Sequence, residues 1–80
     1  MKQIQILGTG CAKCDNLTAN AEAAAKATGE PYTIGKITDI RQIMTFGVMT
    51  TPALVINGRV AASGRVPSVS EIGSLLATSP

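Results

Sequence analysis

Apolar and polar residues alternate from Lys2 to Leu7. Ile4 and Ile6 fall on one face, with Lys2, Gln3 and Gln5 around them, and a period of two predicts a strand. Gly8-Thr9-Gly10 predicts a turn. From Cys11 to about Thr28 the chain is Ala-rich and lacks Gly or Pro, which favours helix because Ala loses no side-chain freedom there. Cys14, Leu17, Ala21, Ala24 and Thr28 fall at helical spacing on one face. Asp15 in the first turn suits the helix dipole. Glu22 and Lys26 form an i,i+4 pair in the better orientation, and Gly29 is placed to end the helix. Tyr32 and Ile34 alternate within Pro31–Ile37, a second strand. Thr38 or Asp39 can cap a short helix that carries Ile40, Ile43 and Met44 and ends at Gly47.

The second half of the chain is denser in signals. Ala53-Leu54-Val55-Ile56 is a short apolar run, followed by Asn57-Gly58 and then Arg59-Val60-Ala61-Ala62. Asn-Gly between two such runs predicts a hairpin, because a type I′ turn needs positive φ at both central positions. Ser68-Val69-Ser70-Glu71 has the form of a capping box. Val69, Ile72, Leu75 and Leu76 then make one apolar stripe on a last helix, and Thr78-Ser79-Pro80 should fray. The order is β-α-β-α-β-β-α, an α/β chain. The first crossover must be right-handed and gives a parallel pair. The hairpin adds two strands, the first antiparallel to the opening strand. A four-stranded mixed sheet with helices on both faces follows. Residues 1–80 read as a single domain without linker, internal repeat or low-complexity tract.

Composition narrows the function. The chain has 80 residues, 45% hydrophobic and 15% charged, with one Phe, one Tyr and no Trp. Its core must be aliphatic and modest in size, and it has little aromatic surface for stacking on bases. The net charge is +2, and Lys2, Lys13, Lys26, Lys36, Arg41, Arg59 and Arg65 are scattered, which argues against a nucleic-acid partner. No His is present, so a His general base, a Ser-His-Asp triad and a His-containing zinc site are all excluded. No stretch approaches a membrane span, and Gln5 and Gly8 interrupt any signal-type apolar region near the N-terminus. The expectation is a soluble cytoplasmic protein with no membrane partner.

Cys11 and Cys14 are the whole cysteine complement. A bridge between them closes too short a loop to act as a staple. In a cytosolic chain, Cys-x-x-Cys reads as redox-active or metal-binding. Its place between a strand and a helix carries the chemistry. The thiolate is the nucleophile in disulfide exchange, and the unpaired N–H groups and dipole of a helix start favour the anion. Cys11 would be exposed at that end and Cys14, one turn in, would face inward. Lys13 adds a positive charge that should help the thiolate form. The plainer alternative is two small apolar core residues. Thr51-Pro52 opens the third strand, where Pro is tolerated. The bond before it can be trans or cis, and a cis bond would turn the Thr51 backbone outward, ready to pair with an extended peptide. Gly8-x-Gly10 lacks the third glycine of a dinucleotide fingerprint and serves the turn. Met44, Phe46, Val48 and Met49 read as core or rim, and Arg59 and Arg65 as solvated surface charges.

Together these residues resemble the thioredoxin/glutaredoxin superfamily, and more closely its very small bacterial and archaeal branch, the thioredoxin-like redox-active disulfide proteins. The likeness runs from Gly8-Thr9-Gly10-Cys11-Ala12-Lys13-Cys14, through Phe46-Gly47-Val48-Met49-Thr50-Thr51-Pro52-Ala53-Leu54-Val55-Ile56-Asn57-Gly58, to Gly64-Arg65-Val66-Pro67-Ser68. It implies a thioredoxin-like fold with Cys11 attacking and Cys14 resolving. It also implies a redox-active Cys11–Cys14 disulfide, a cis Pro52, and Thr51 backbone contacts to the substrate. Thioredoxins carry Trp where this chain has Gly10, and Gly-Pro where it has Ala12-Lys13, so a reduction potential is not carried over. Glutaredoxins have a paired-glycine turn for glutathione, and here that region is Gly64-Arg65-Val66-Pro67.

The resulting expectation is a monomeric thiol–disulfide oxidoreductase that needs no cofactor or metal. It would reduce disulfide-containing proteins and be regenerated by a thioredoxin-reductase-like flavoprotein. A second chemistry stays open at this point, a carrier of Cu(I), Zn or an iron–sulfur cluster on the same two cysteines. Against it, small copper-carrier domains run β-α-β-β-α-β and end in a strand, whereas this chain ends in a helix.

Overall fold

The structure is a computed structural model that describes residues 2–8 and 12–78. The expectations placed on Cys11, on the rest of the turn at Thr9 and Gly10, and on the fraying of Ser79 and Pro80 lie outside the described residues. The elements are β1 (Lys2–Leu7), α1 (Ala12–Thr28), β2 (Tyr32–Ile37), α2 (Ile40–Thr45), β3 (Ala53–Ile56), β4 (Arg59–Ser63) and α3 (Val69–Thr78).

The strands form one four-stranded mixed sheet in the order β2-β1-β3-β4. Strand β1 is central. It runs parallel to β2, from Lys2 opposite Tyr32 to Leu7 opposite Ile37, and antiparallel to β3, with Ile4 opposite Ile56 and Ile6 opposite Leu54. The β3–β4 hairpin turns at Asn57 and Gly58, with φ of 51° and 81°, both in the left-handed region that a type I′ turn requires. The turn is also tied to β1. The Asn57 N–H donates to the Gln3 carbonyl at 2.8 Å, and the Gln3 N–H donates to Asn57 Oδ1 at 2.9 Å. An irregularity between Leu54 and Val55 shifts the β3–β4 register, and such a bulge bends and twists the pair locally.

Alternation along the strands splits the apolar residues between two faces. Ile4, Ile6, Leu54 and Ile56 pack with Leu17, Ala21, Ala24 and Ala25 of α1 and with Ile72 and Leu76 of α3. Leu7, Ala53 and Val55 face the other way and pack with Ile43 of α2, flanked by Ile37, Phe46 and Val48. Helices therefore cover both faces, α1 and α3 on one and α2 on the other. Each fully buried Ile or Leu contributes about 1.5–3 kcal/mol. Among the described residues, no helix is long and apolar enough to cross a membrane.

The helix ends refine the sequence reading. Asp39, rather than Thr38, caps α2, its Oδ1 accepting the Arg41 N–H at 2.8 Å. At α3 the Ser68 hydroxyl oxygen accepts the Glu71 N–H at 3.1 Å. The Glu71 carboxylate turns to Arg65 instead, at 2.5 Å, so one arm of the capping box is replaced by an ion pair. On α1 the buried face ends at Ala25, and Thr28 is exposed, its hydroxyl donating to the Ala25 carbonyl at 2.7 Å. The Asn20 amide donates to the Pro67 carbonyl at 3.1 Å, tying α1 to the segment that leads into α3.

Candidate redox site

The C-terminal ends of β1 and β4, the start of α1 and the segment before β3 converge at one end of the sheet. Gly8, at the end of β1, is buried and is held there by its N–H donating to the Ile37 carbonyl at 3.0 Å. Cys14 lies in the first turn of α1 and is only 4% exposed. The helical period carries it to the same face as Leu17 and Ala21. Its carbonyl accepts the Thr18 hydroxyl at 2.8 Å. A side chain on Gly8 would overlap Cys14 Sγ and come within 4.0 Å of Pro52 Cα. Gly8, Cys14 and Pro52 are thus direct neighbours although far apart in sequence.

Pro52 is buried and Thr51 is exposed, and the peptide bond between them is cis. The Pro52 carbonyl accepts the Gly64 N–H at 2.9 Å. Gly64 has φ of 74°, and a Cβ there would come 2.7 Å from the Thr50 hydroxyl oxygen. The Thr50-Thr51-Pro52 segment is therefore seated on the end of β4 by a contact that only glycine permits without strain.

Charge around the site is mostly paired. The Asp15 carboxylate is exposed and meets Lys36 at 3.6 Å, a surface ion pair between the start of α1 and β2. Lys13 is exposed and makes no ion pair among the described residues. Arg65 is paired with Glu71 rather than merely solvated. The Arg65 hydrogen bond holds the Glu71 carboxyl below its ordinary value, against a partial desolvation that opposes the shift. Among the described residues, no group of three or more His, Cys, Asp or Glu is disposed to hold a metal ion.

An open groove of about 420 Å³ begins at Thr51 and is lined by Ile40, Ile43, Met44, Val48 and Met49. The group of apolar residues read as core or rim divides sharply. Phe46 and Val48 pack against the core under α2, whereas Met44 is 67% and Met49 96% exposed. Ile40 is 62% exposed beside them. Sequence reading picked out Cys14, Lys13, Thr51 and Pro52, but not Gly8, the Gly64–Thr50 contact or this groove. For the groove, the signal was a pair of methionines, Met44 on the short predicted helix and Met49 just beyond Gly47.

The thioredoxin-domain family model matches residues 2–77. A thioredoxin of Methanothermobacter thermautotrophicus is 41% identical over 76 residues, covering 95% of this chain and 99% of its own. A thioredoxin of Methanocaldococcus jannaschii is 36% identical over 72 residues, covering 90% of this chain and 83% of its own. The mixed sheet, its helices on both faces and this near full-length likeness lead to one conclusion: the chain belongs to the thioredoxin family of thiol–disulfide oxidoreductases.

Proposed function

We propose that the protein is a dithiol electron carrier that reduces disulfides in partner proteins through Cys11 and Cys14. The Cys11 thiolate attacks one sulfur of a partner disulfide, forming a mixed disulfide and releasing the first partner thiolate. Cys14 then loses its proton to solvent and attacks Cys11, releasing the second thiolate and leaving a Cys11–Cys14 disulfide. Two electrons pass from the dithiol to the partner. A thioredoxin-reductase-like flavoprotein in the cytoplasm is the regenerating partner in this reading.

The observation that carries it is the seat of Cys14. It is buried in the first turn of α1, with its sulfur against Gly8 and near Pro52. This suits a thiol that reacts second, with the neighbouring cysteine rather than with an outside reagent. Lys13, exposed in the first turn and two residues from Cys11 in sequence, supplies a cation to favour the attacking thiolate. The groove that starts at Thr51 gives an extended segment of the partner protein an apolar surface on which to dock.

The test is reduction of insulin disulfides, with thiol labelling alongside. Brief alkylation of the reduced protein near neutral pH should label Cys11 first. Cys11→Ser should abolish turnover, and Cys14→Ser should accumulate a mixed disulfide with the substrate. Preferential labelling of Cys14, or full activity in Cys11→Ser, would overturn the assignment of roles.

A further inference from the structure

We propose that Gly8 is a positioning residue for the Cys14 sulfur, and that its missing side chain sets how fast Cys14 resolves a mixed disulfide. Gly29, Gly47, Gly58 and Gly64 have positive φ, which accounts for glycine at each of them. Gly8 does not, so its backbone could belong to any residue, and space is what distinguishes it. At Gly35 and Gly73 an added Cβ would meet nothing within 4 Å. At Gly8 it would overlap Cys14 Sγ and stand 3.3 Å from Cys14 Cβ. The sulfur occupies the volume that a side chain at Gly8 would take.

Neither backbone is placed to yield. The Gly8 N–H is bonded to the Ile37 carbonyl at 3.0 Å, and Leu7 beside it is wholly buried in the sheet. Cys14 lies in the first turn of α1, its carbonyl bonded to the Thr18 hydroxyl. The one soft coordinate is the Cys14 side-chain torsion, which has only three staggered wells, one of them disfavoured in a helix. A methyl group at Gly8 would therefore push the sulfur out of its present well or tilt α1 away from β1. Either movement displaces the resolving sulfur, and a misplacement of about 1 Å in a reacting group can cost about 100-fold in rate.

The kinetic half of this inference rests on the proposed roles of the two cysteines; the packing half does not. The packing half is tested by a thermal-stability cycle on wild type, Gly8→Ala, Cys14→Ala and the double variant, all reduced with a phosphine. Gly8→Ala should lower Tm in the wild-type background and have much less effect once the sulfur is gone. If Gly8→Ala does not fold, the double variant should recover folding. An undiminished effect of Gly8→Ala beside Cys14→Ala, or a double variant that stays unfolded, would overturn the contact.

The kinetic half is read with dithiobis-nitrobenzoate, whose two coloured thiolates leave in turn. Attack by Cys11 releases the first, and attack by Cys14 on the mixed disulfide releases the second. Gly8→Ala should leave the first phase unchanged and slow the second about tenfold or more. Equal slowing of both phases, or no slowing of either, would refute a positioning role. A wild type that releases only one thiolate would instead refute the proposed function, leaving the stability cycle to judge the contact by itself.

Discussion

Replacing Met44 and Met49 together by Gln should weaken the reduction of a protein disulfide while sparing a small one. The two residues are 67% and 96% exposed at the groove beside Thr51, so a docked partner has more than one and a half methionines' worth of surface to cover. Full burial of a Met side chain contributes about 1.5–3 kcal/mol. About two thirds of that remains to be gained at Met44 and nearly all of it at Met49. Immobilising each side chain costs about 0.5–1.5 kcal/mol. Gln keeps the length and part of the methylene surface but brings an amide that must be desolvated, so the pair should lose about 1–2 kcal/mol of docking energy. That corresponds to a rise of roughly 5–30-fold in KM for insulin. Because both residues are exposed, stability should change by no more than about 0.5 kcal/mol, and Gln is about as good a helix former as Met in α2. The assay compares insulin with dithiobis-nitrobenzoate, which is too small to span the groove. An unchanged KM for insulin, or an equal fall in both rates, would show that the groove is not where partners dock.

Three further outcomes follow from particular contacts. Leu17→Ala, in the wholly buried face of α1, should destabilise by about 2–5 kcal/mol, seen as a lower urea midpoint at unchanged slope. Gly64→Ala places a Cβ at positive φ and 2.7 Å from the Thr50 hydroxyl oxygen; a loss of about 1–3 kcal/mol in chemical denaturation is expected. Glu71 titrates below its ordinary value because Arg65 hydrogen-bonds the carboxylate. Its stabilising effect is therefore present above the carboxylate's unfolded pKa and is lost as pH falls through the lower folded value. Glu71→Gln should flatten that acid limb of the stability curve, modestly and less so in high salt because both partners are half exposed.

The order of elements was legible because each rests on local signals: alternation at Ile4 and Ile6, the Asn57-Gly58 turn, and Ser68 three residues before Glu71. What was not legible depends on partners distant in sequence. Nothing local to Glu71 says that Arg65 will draw its carboxylate away from the α3 cap. Nothing near Asp15 announces Lys36. In Ala-rich α1 the period is weak because Ala tolerates either face, so the last turn could not be apportioned between Ala25 and Thr28. At the site, Cys14 and Pro52 carried recognisable chemistry. Gly8 matters only through the space it leaves, and a glycine beside a turn looks the same whether it serves the turn or a sulfur packed against it.

The two sides of the sheet are unequally filled. Among the described residues, eleven buried ones form the core beneath α1 and α3, but four form the one beneath α2. Local opening free energies follow such differences in buried apolar contact. The amide hydrogens of α2 should therefore exchange with solvent well before those of α1, through sub-global openings that leave the larger core intact. The groove beside Thr51 lies on this thin side. A wall that can open and reclose at small cost can reshape itself around unlike sequences, and methionine is a side chain suited to that repacking. Breadth of partner choice would then come from uneven core thickness, with the cysteine-bearing helix anchored on the thick side and the docking wall left loose on the thin one.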